Sequence, residues 1–192
     1  MTIFSETRAD EETSLRLPPV SDAAWPAEAA HLREGFAGRL NIYRVMAHHP
    51  ALLNAWESLR NHVVLANALT PRQQELTILR AAYRWRAGYE WAHHVSRGRK
   101  AGLGDAEIAA AGGAADRLPA NDEAHALFAA VDELLDEGAL SSSTLNRLSE
   151  NLDKTAVLDL MATVGMYTML AFLAKTFNPP LEPELEALEP RW

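Results

Sequence analysis

Glu75, Glu90, His93 and His94 are the densest group of carboxylates and imidazoles set among the apolar positions of the stretch Leu69 to Glu107. An imidazole gives and takes protons near neutrality, and a carboxylate beside it fixes its tautomer and stabilises its cation. These residue types point to proton transfer. Spacing adds to this: Glu90 and His94 are four apart, so on a helix they share a face and can hydrogen-bond. Tyr89 and His93 make a second such pair, rotated by about a third of a turn. His94 is the candidate proton donor, with Glu75 or Glu90 as its partner. Tyr89, His93 and Arg97 are candidates for binding a substrate carboxylate or carbonyl. Each feature also has a blander explanation. A glutamate near a helix N-terminus is dipole-favourable, and a Glu–His pair at this spacing is common on helix surfaces. His48 and His49 read as helix-end residues and His125 as a surface or core histidine. A metal site is the weakest reading, because adjacent His93 and His94 point about 100° apart on a helix; no metal is expected.

The elements that must position these groups are helical. Thr70-Pro71-Arg72-Gln73 is a strong helix start, with Thr70 at the N-cap, Pro71 at N1 and Gln73 completing a capping box. That helix runs to about Arg86, where Gly88 breaks it. The next runs from about Tyr89 to Ala101, closed by Gly102 and by Arg97, Arg99 and Lys100 at its C-terminal end. Upstream, Ala27–Phe36 and Gly38–His48 read as short helices. Pro50 starts another that reaches about Asn67, with Leu52, Leu53, Trp56, Leu59, Val63 and Val64 at helical spacing. Downstream come a short helix from Gly104 to Gly112, a polar connection from Asp116 to Asn121, and an amphipathic helix from Asp122 to Glu137. A short helix follows Ser141-Ser142-Ser143. Asp153 caps the last long helix, which runs to about Thr176 and is apolar around most of its circumference, so it is expected to be buried on several sides and to face another subunit in part. No segment alternates as a strand does. The expectation is an all-α fold with an N-terminal arm at 1–22, one domain at 23–177 and a Pro- and Glu-rich tail at 178–192 that has no evident partner. Ile3, Phe4, Leu15, Leu17 and Trp192 are possible anchors for the two ends.

Composition narrows the function. The chain has 192 residues, 48% hydrophobic and 23% charged, enough to bury a core. Net charge is −8, which argues against nucleic acid or anionic membranes as partners. Most of that charge sits at the two ends, leaving the middle near neutral. There is no cysteine, so disulfides and thiolate nucleophiles are excluded. The N-terminus lacks the basic and apolar regions of a secretory signal, and no uninterrupted apolar run reaches the ~20 residues that span a bilayer. A cytoplasmic location is expected.

The segment Leu69–Gly113 resembles the carboxymuconolactone decarboxylase / AhpD-like family. The matching residues are Leu69-Thr70-Pro71-Arg72-Gln73-Gln74-Glu75, then Gly88-Tyr89-Glu90-Trp91 and His94, then Ala101-Gly102-Leu103 and the acidic short helix with Ile108. Leu158 to Phe177, with Gly165-Met166-Tyr167-Thr168-Met169-Leu170, is similar to the family's closing helix. The resemblance implies an AhpD-like helical bundle that assembles as a homo-oligomer (dimer, trimer or hexamer). In the family's peroxidase branch two cysteines fall at the positions of Ala87 and Glu90, so thiol-dependent peroxide reduction is out of reach here. The decarboxylase branch works without a cofactor, by acid–base catalysis. His94, Glu75 and Glu90 are then the implied catalytic set, acting on a small carboxylated lactone or keto acid. The alternative is a non-catalytic oligomer that binds a small ligand on the same scaffold.

Overall fold

The structure is a computed structural model that describes residues 15–119 and 122–190; Ile3, Phe4 and Trp192 lie outside them. Among the described residues there is no strand. Two 3-10 turns, Asp22–Ala24 and Ala27–Ala29, lead into the short helices α1 (Ala30–Arg33), α2 (Phe36–Arg39) and α3 (Asn41–Met46). Then follow α4 (Pro50–Leu65), α5 (Pro71–Trp85), α6 (Gly88–Lys100), α7 (Asp105–Ala111), α8 (Ala124–Asp136), α9 (Ser142–Leu148) and α10 (Lys154–Phe177). A last 3-10 stretch, Pro183–Leu188, lies within the C-terminal segment.

Helix α5 is the hub, with α6, α7, α8 and α10 all packed against it. It starts as the sequence dictates: the Thr70 hydroxyl accepts from the Gln73 amide at 3.3 Å, and the Gln73 side chain accepts from the Thr70 amide at 2.9 Å. Two of the orphan donors of the first turn are satisfied reciprocally. Gln73 also donates to Glu123 at 3.1 Å, tying the cap to the start of α8. Thr70→Ala removes the cap and is expected to cost about 1 kcal/mol, read as a lower urea midpoint with an unchanged m-value. An unchanged midpoint would show that packing alone holds this end.

Apolar residues of α5 divide between two cores. Leu76 and Leu79 join Val95, Leu127, Val131, Leu160 and Val164. Ile78 joins Ile42, Tyr43, Leu53, Trp56, Tyr89, Met166, Tyr167 and Leu170. Helix α10 serves both, which explains why it is apolar nearly all round. Its mean hydropathy of 1.7 would suit a membrane span by length and composition, yet half of that window is buried against the other helices. Leu158, Met161 and Phe172 remain exposed along it, with Gly165 in open space between them. The Asp159 carboxylate fastens α10 to the α4–α5 connection, accepting from the Ala68 amide and pairing with His62, each at 2.7 Å.

Three readings of the sequence need correction. Gly38–His48 is two helices, because Leu40 is extended (φ −122°, ψ 125°). The break lets the Asn41 amide, free at the start of α3, donate to the Glu182 carboxylate at 2.8 Å. Ala27–Phe36 likewise contains only a 3-10 turn and the four-residue α1 before α2 begins at Phe36. The C-terminal segment has a partner: its 3-10 stretch packs on α6, with Leu185 buried.

Candidate active site

Two features of the α5–α6 junction set the site. Arg86 takes the left-handed conformation (φ 51°) and ends α5, and the Ala87 amide returns to the Ala82 carbonyl at 2.9 Å. Helix α6 then starts at Gly88, so Gly88 opens this helix and is not the breaker of the previous one. The elbow lays α6 back along α5. Glu75 faces His94 across the seam, and the Glu75 carboxylate pairs with His94 Nδ1 at 2.7 Å. With Glu75 as the acceptor, Nδ1 carries the proton and Nε2 presents its lone pair. Nε2 faces Glu90, one turn earlier on α6, at 3.9 Å. The partner of His94 is therefore Glu75, and Glu90 stands on the opposite side of the ring. Tyr167 of α10 packs edge-on to the imidazole, with ring centroids 4.9 Å apart.

Burial decides the electrostatics. His94 is 2% exposed and Glu90 4%. Desolvation lowers the His94 pKa; the charge and hydrogen bond of Glu75 oppose this, while Arg97 and His93 add to it. Desolvation pushes the Glu90 carboxyl up to about 7, with Arg97 opposing and Glu182 adding. Glu90 Oε1 has no hydrogen-bond partner among the described residues. The two groups are thus displaced towards each other, imidazole downward and carboxyl upward, which leaves a substantial protonated fraction of Glu90 beside a neutral His94 at neutrality. Tyr167 is raised well above the usual phenol range, chiefly by burial.

Of the candidate binding residues, Arg97 is half-buried and makes no ion pair or hydrogen bond among the described residues, although its charge acts on Glu90, His94 and Tyr167. Tyr89 and His93 are brought together elsewhere. Their rings pack tilted at 43° with centroids 4.6 Å apart, the Tyr89 hydroxyl donates to Glu182 Oε1 at 2.8 Å, and His93 Nε2 lies 2.6 Å from Glu182 Oε2. Burial alone would raise the Glu182 pKa, but the hydrogen bonds of His93, the Asn41 amide and Tyr89 hold it below the ordinary carboxylate range. Sequence reasoning missed Glu182, which lies far along the chain in a segment without periodicity. It also missed Tyr167 as a neighbour of His94, because an apolar helix gives no sign of which ring meets the site. His93 and His94 turn to different carboxylates, and no group of three or more His, Asp or Glu among the described residues is arranged to hold a metal.

Fold and site together define an all-α protein in which an elbow between two central helices presents a buried Glu–His pair. Residues 50–133, from α4 into α8, match the carboxymuconolactone decarboxylase family model, and the matched stretch contains Glu75, Glu90 and His94 and no cysteine. No curated protein matches the chain. Solved structures share its fold. An uncharacterized peroxidase-related protein from a Silicibacter species has 14% identity and a TM-score of 0.72, covering 93% of this chain and 96% of that one. An AhpD-core peroxidase-related protein from Ralstonia eutropha has 14% identity and a TM-score of 0.74, covering 88% and 93%. The debrominase Bmp8, in a cysteine-to-alanine variant with 2,3,4-tribromopyrrole, has 14% identity and a TM-score of 0.69, covering 93% and 97%. At this identity the likeness concerns the fold, which is AhpD-like.

Proposed function

We propose that the protein is a cofactor-independent acid–base enzyme, a lyase or isomerase acting on a small carboxylated lactone or keto acid. The observation that carries this reading is the buried array Glu75–His94–Glu90, in which one imidazole nitrogen is fixed by a carboxylate and the other faces a second, unpartnered carboxyl. Glu75 orients the ring and stabilises its cation. In an isomerisation, His94 Nε2 removes a proton from a carbon next to the carbonyl, and the electron pair of the C–H bond moves into an enolate. Glu90 returns a proton at the far end of the conjugated system. The proton on His94 then passes to Glu90, and the site is restored without net change. In a decarboxylation, the pair of the broken C–C bond enters the enolate as CO₂ leaves, Glu90 protonates carbon, and solvent replaces its proton. Arg97 is the cation available for the substrate's carboxylate or the enolate oxygen.

The protein works on this reading as a homo-oligomer in the cytoplasm, with the exposed face of α10 as its contact. The reading is tested by a screen of carboxylated lactones and β-keto acids, following CO₂ release and the absorbance of conjugated products. One observation favours the ligand-binding alternative: three cavities among the described residues are lined by residues other than Glu75, Glu90 and His94. Thermal stabilisation by a lactone or keto acid without turnover would support that alternative.

A further inference from the structure

Because His94 and Glu90 are sealed in the closed structure, a ligand must have a route to them. A cavity of about 670 Å³ lies between the start of α6, the end of α10 and the C-terminal segment 178–190. That volume falls within the range of small-ligand sites, roughly 300–1,000 Å³. Its inner wall includes Ala87, Gly88 and Tyr89, the residues immediately before Glu90. Arg86 and Lys175 line it together with Glu186 and Glu189.

The segment roofing this space packs Leu181 and Leu188 against the two cores and is tied down by a small number of polar contacts. Asn178 leaves α10 in the left-handed conformation (φ 45°), and Pro179-Pro180 cannot continue the helix. Asn41 Nδ2 donates to the Pro180 carbonyl at 3.1 Å, Leu185 is buried, and Pro190 lies beside Gly88. The one buried carboxylate of the segment is Glu182, which joins three elements at once: the Asn41 amide of α3, and Tyr89 and His93 of α6. Charge-assisted hydrogen bonds of this kind are the strong ones, and their loss leaves buried donors unpaired.

We propose that the cavity beneath the C-terminal segment is the way in to the Glu90–His94 site, and that Glu182 is the latch holding its inner wall closed. This rests on the acid–base reading for what enters, a small carboxylate or enolisable carbonyl compound, but not for how the latch is tested. With Glu182 in place, Tyr89 and His93 are pinned to the strap and Glu90 is shut behind them. When the latch releases, the strap turns about Asn178 and Pro179, and the first turn of α6 faces the cavity and solvent.

The absence of cysteine makes the test clean. Ala87→Cys places a lone thiol on the inner wall, where the native residue is fully buried, and Ala51→Cys places one on the exposed face of α4 as a control. Labelling with N-ethylmaleimide is expected to be slow at position 87 and fast at 51. Adding Glu182→Gln should speed labelling at 87 by about ten- to a hundredfold, the factor that loss of a charge-assisted hydrogen bond gives an opening equilibrium, and leave the rate at 51 unchanged. If Glu182→Gln does not fold, Tyr89→Phe, which removes the hydroxyl that donates to Glu182, decides the matter, with a smaller rise at 87 expected and none at 51. An unchanged rate at 87 in the folded variant overturns the latch. Since labelling needs no turnover, a protein inactive on every lactone and keto acid would still report a working latch, and an active one could still fail this test.

Discussion

Replacing His94 by alanine is expected to lower turnover by about 10²–10⁴, the usual worth of a positioned acid or base. On the acid–base reading the loss should fall on kcat and be largest for an isomerisation, where His94 takes the proton from substrate carbon, while charge in the binding step is met by Arg97. The imidazole is buried, so alanine leaves a cavity and an unpaired Glu75. His94→Gln keeps a donor for Glu75 and nearly fills the space, and it should be as inactive as alanine while staying closer to wild type in stability. Glu75→Gln is expected to be milder: the ring keeps a hydrogen-bonded neighbour but loses the anion that stabilises its cation. Steady-state kinetics of the four proteins on whichever lactone or keto acid the wild type converts, with urea unfolding alongside, separates these effects. Wild-type kcat in folded His94→Ala would remove His94 from the reaction.

The second large effect is on stability, and it is a gain. Glu90 is a buried carboxyl whose pKa rises from 4.5 to about 7 on folding. Below pH 4.5 it is protonated in both folded and unfolded chains and costs nothing. Between pH 4.5 and 7 the unfolded chain releases the proton while the folded one keeps it, so stability falls as pH rises. Above about pH 7 the full penalty of about 3 kcal/mol is present. Glu90→Gln cannot ionise and escapes it. Its stability relative to wild type should therefore rise by about 2–3 kcal/mol between pH 5 and pH 8, measured by urea unfolding at the two values. His94 contributes the opposite slope, since its depressed pKa makes stability fall as pH drops below 6.5, but that slope is common to both proteins and cancels in the difference. Parallel stability curves for the two proteins would show that Glu90 is not a carboxylic acid at neutrality, and the proton assigned to it would have to be placed elsewhere. The same variant should lose activity, so the group that costs stability is the one the chemistry uses.

Part of this was legible in the chain. Thr70-Pro71 with Gln73 marks the start of α5 through local hydrogen-bond chemistry alone, and helical spacing puts Glu90 and His94 on one face. The pairing of Glu75 with His94 was not legible from periodicity. It depends on the angle at which α6 folds back, which is set by the left-handed Arg86, a conformation that an arginine does not advertise. The family resemblance supplied the three site positions and left the partner of His94 open between Glu75 and Glu90. Glu182 escaped because its partners are distant in sequence and its own segment follows no helical period, and the break at Leu40 escaped because its reason is that same distant carboxylate. The proton's place on Glu90 came only with burial, which no local pattern reports.

The elbow at Arg86–Ala87 has one more consequence. Each residue of an α-helix turns the next by about 100°. One residue inserted or removed at the elbow would rotate all of α6 by that angle, carrying His94 away from Glu75 while leaving every side chain unchanged in type. Substitution at Ala87 or within α6 does the reverse: the frame stays and the chemistry at Ala87 or Glu90 is exchanged. The scaffold is therefore tolerant of spelling and intolerant of length. Its reactivity can be rewritten one letter at a time, provided the count between Glu75 and His94 is kept.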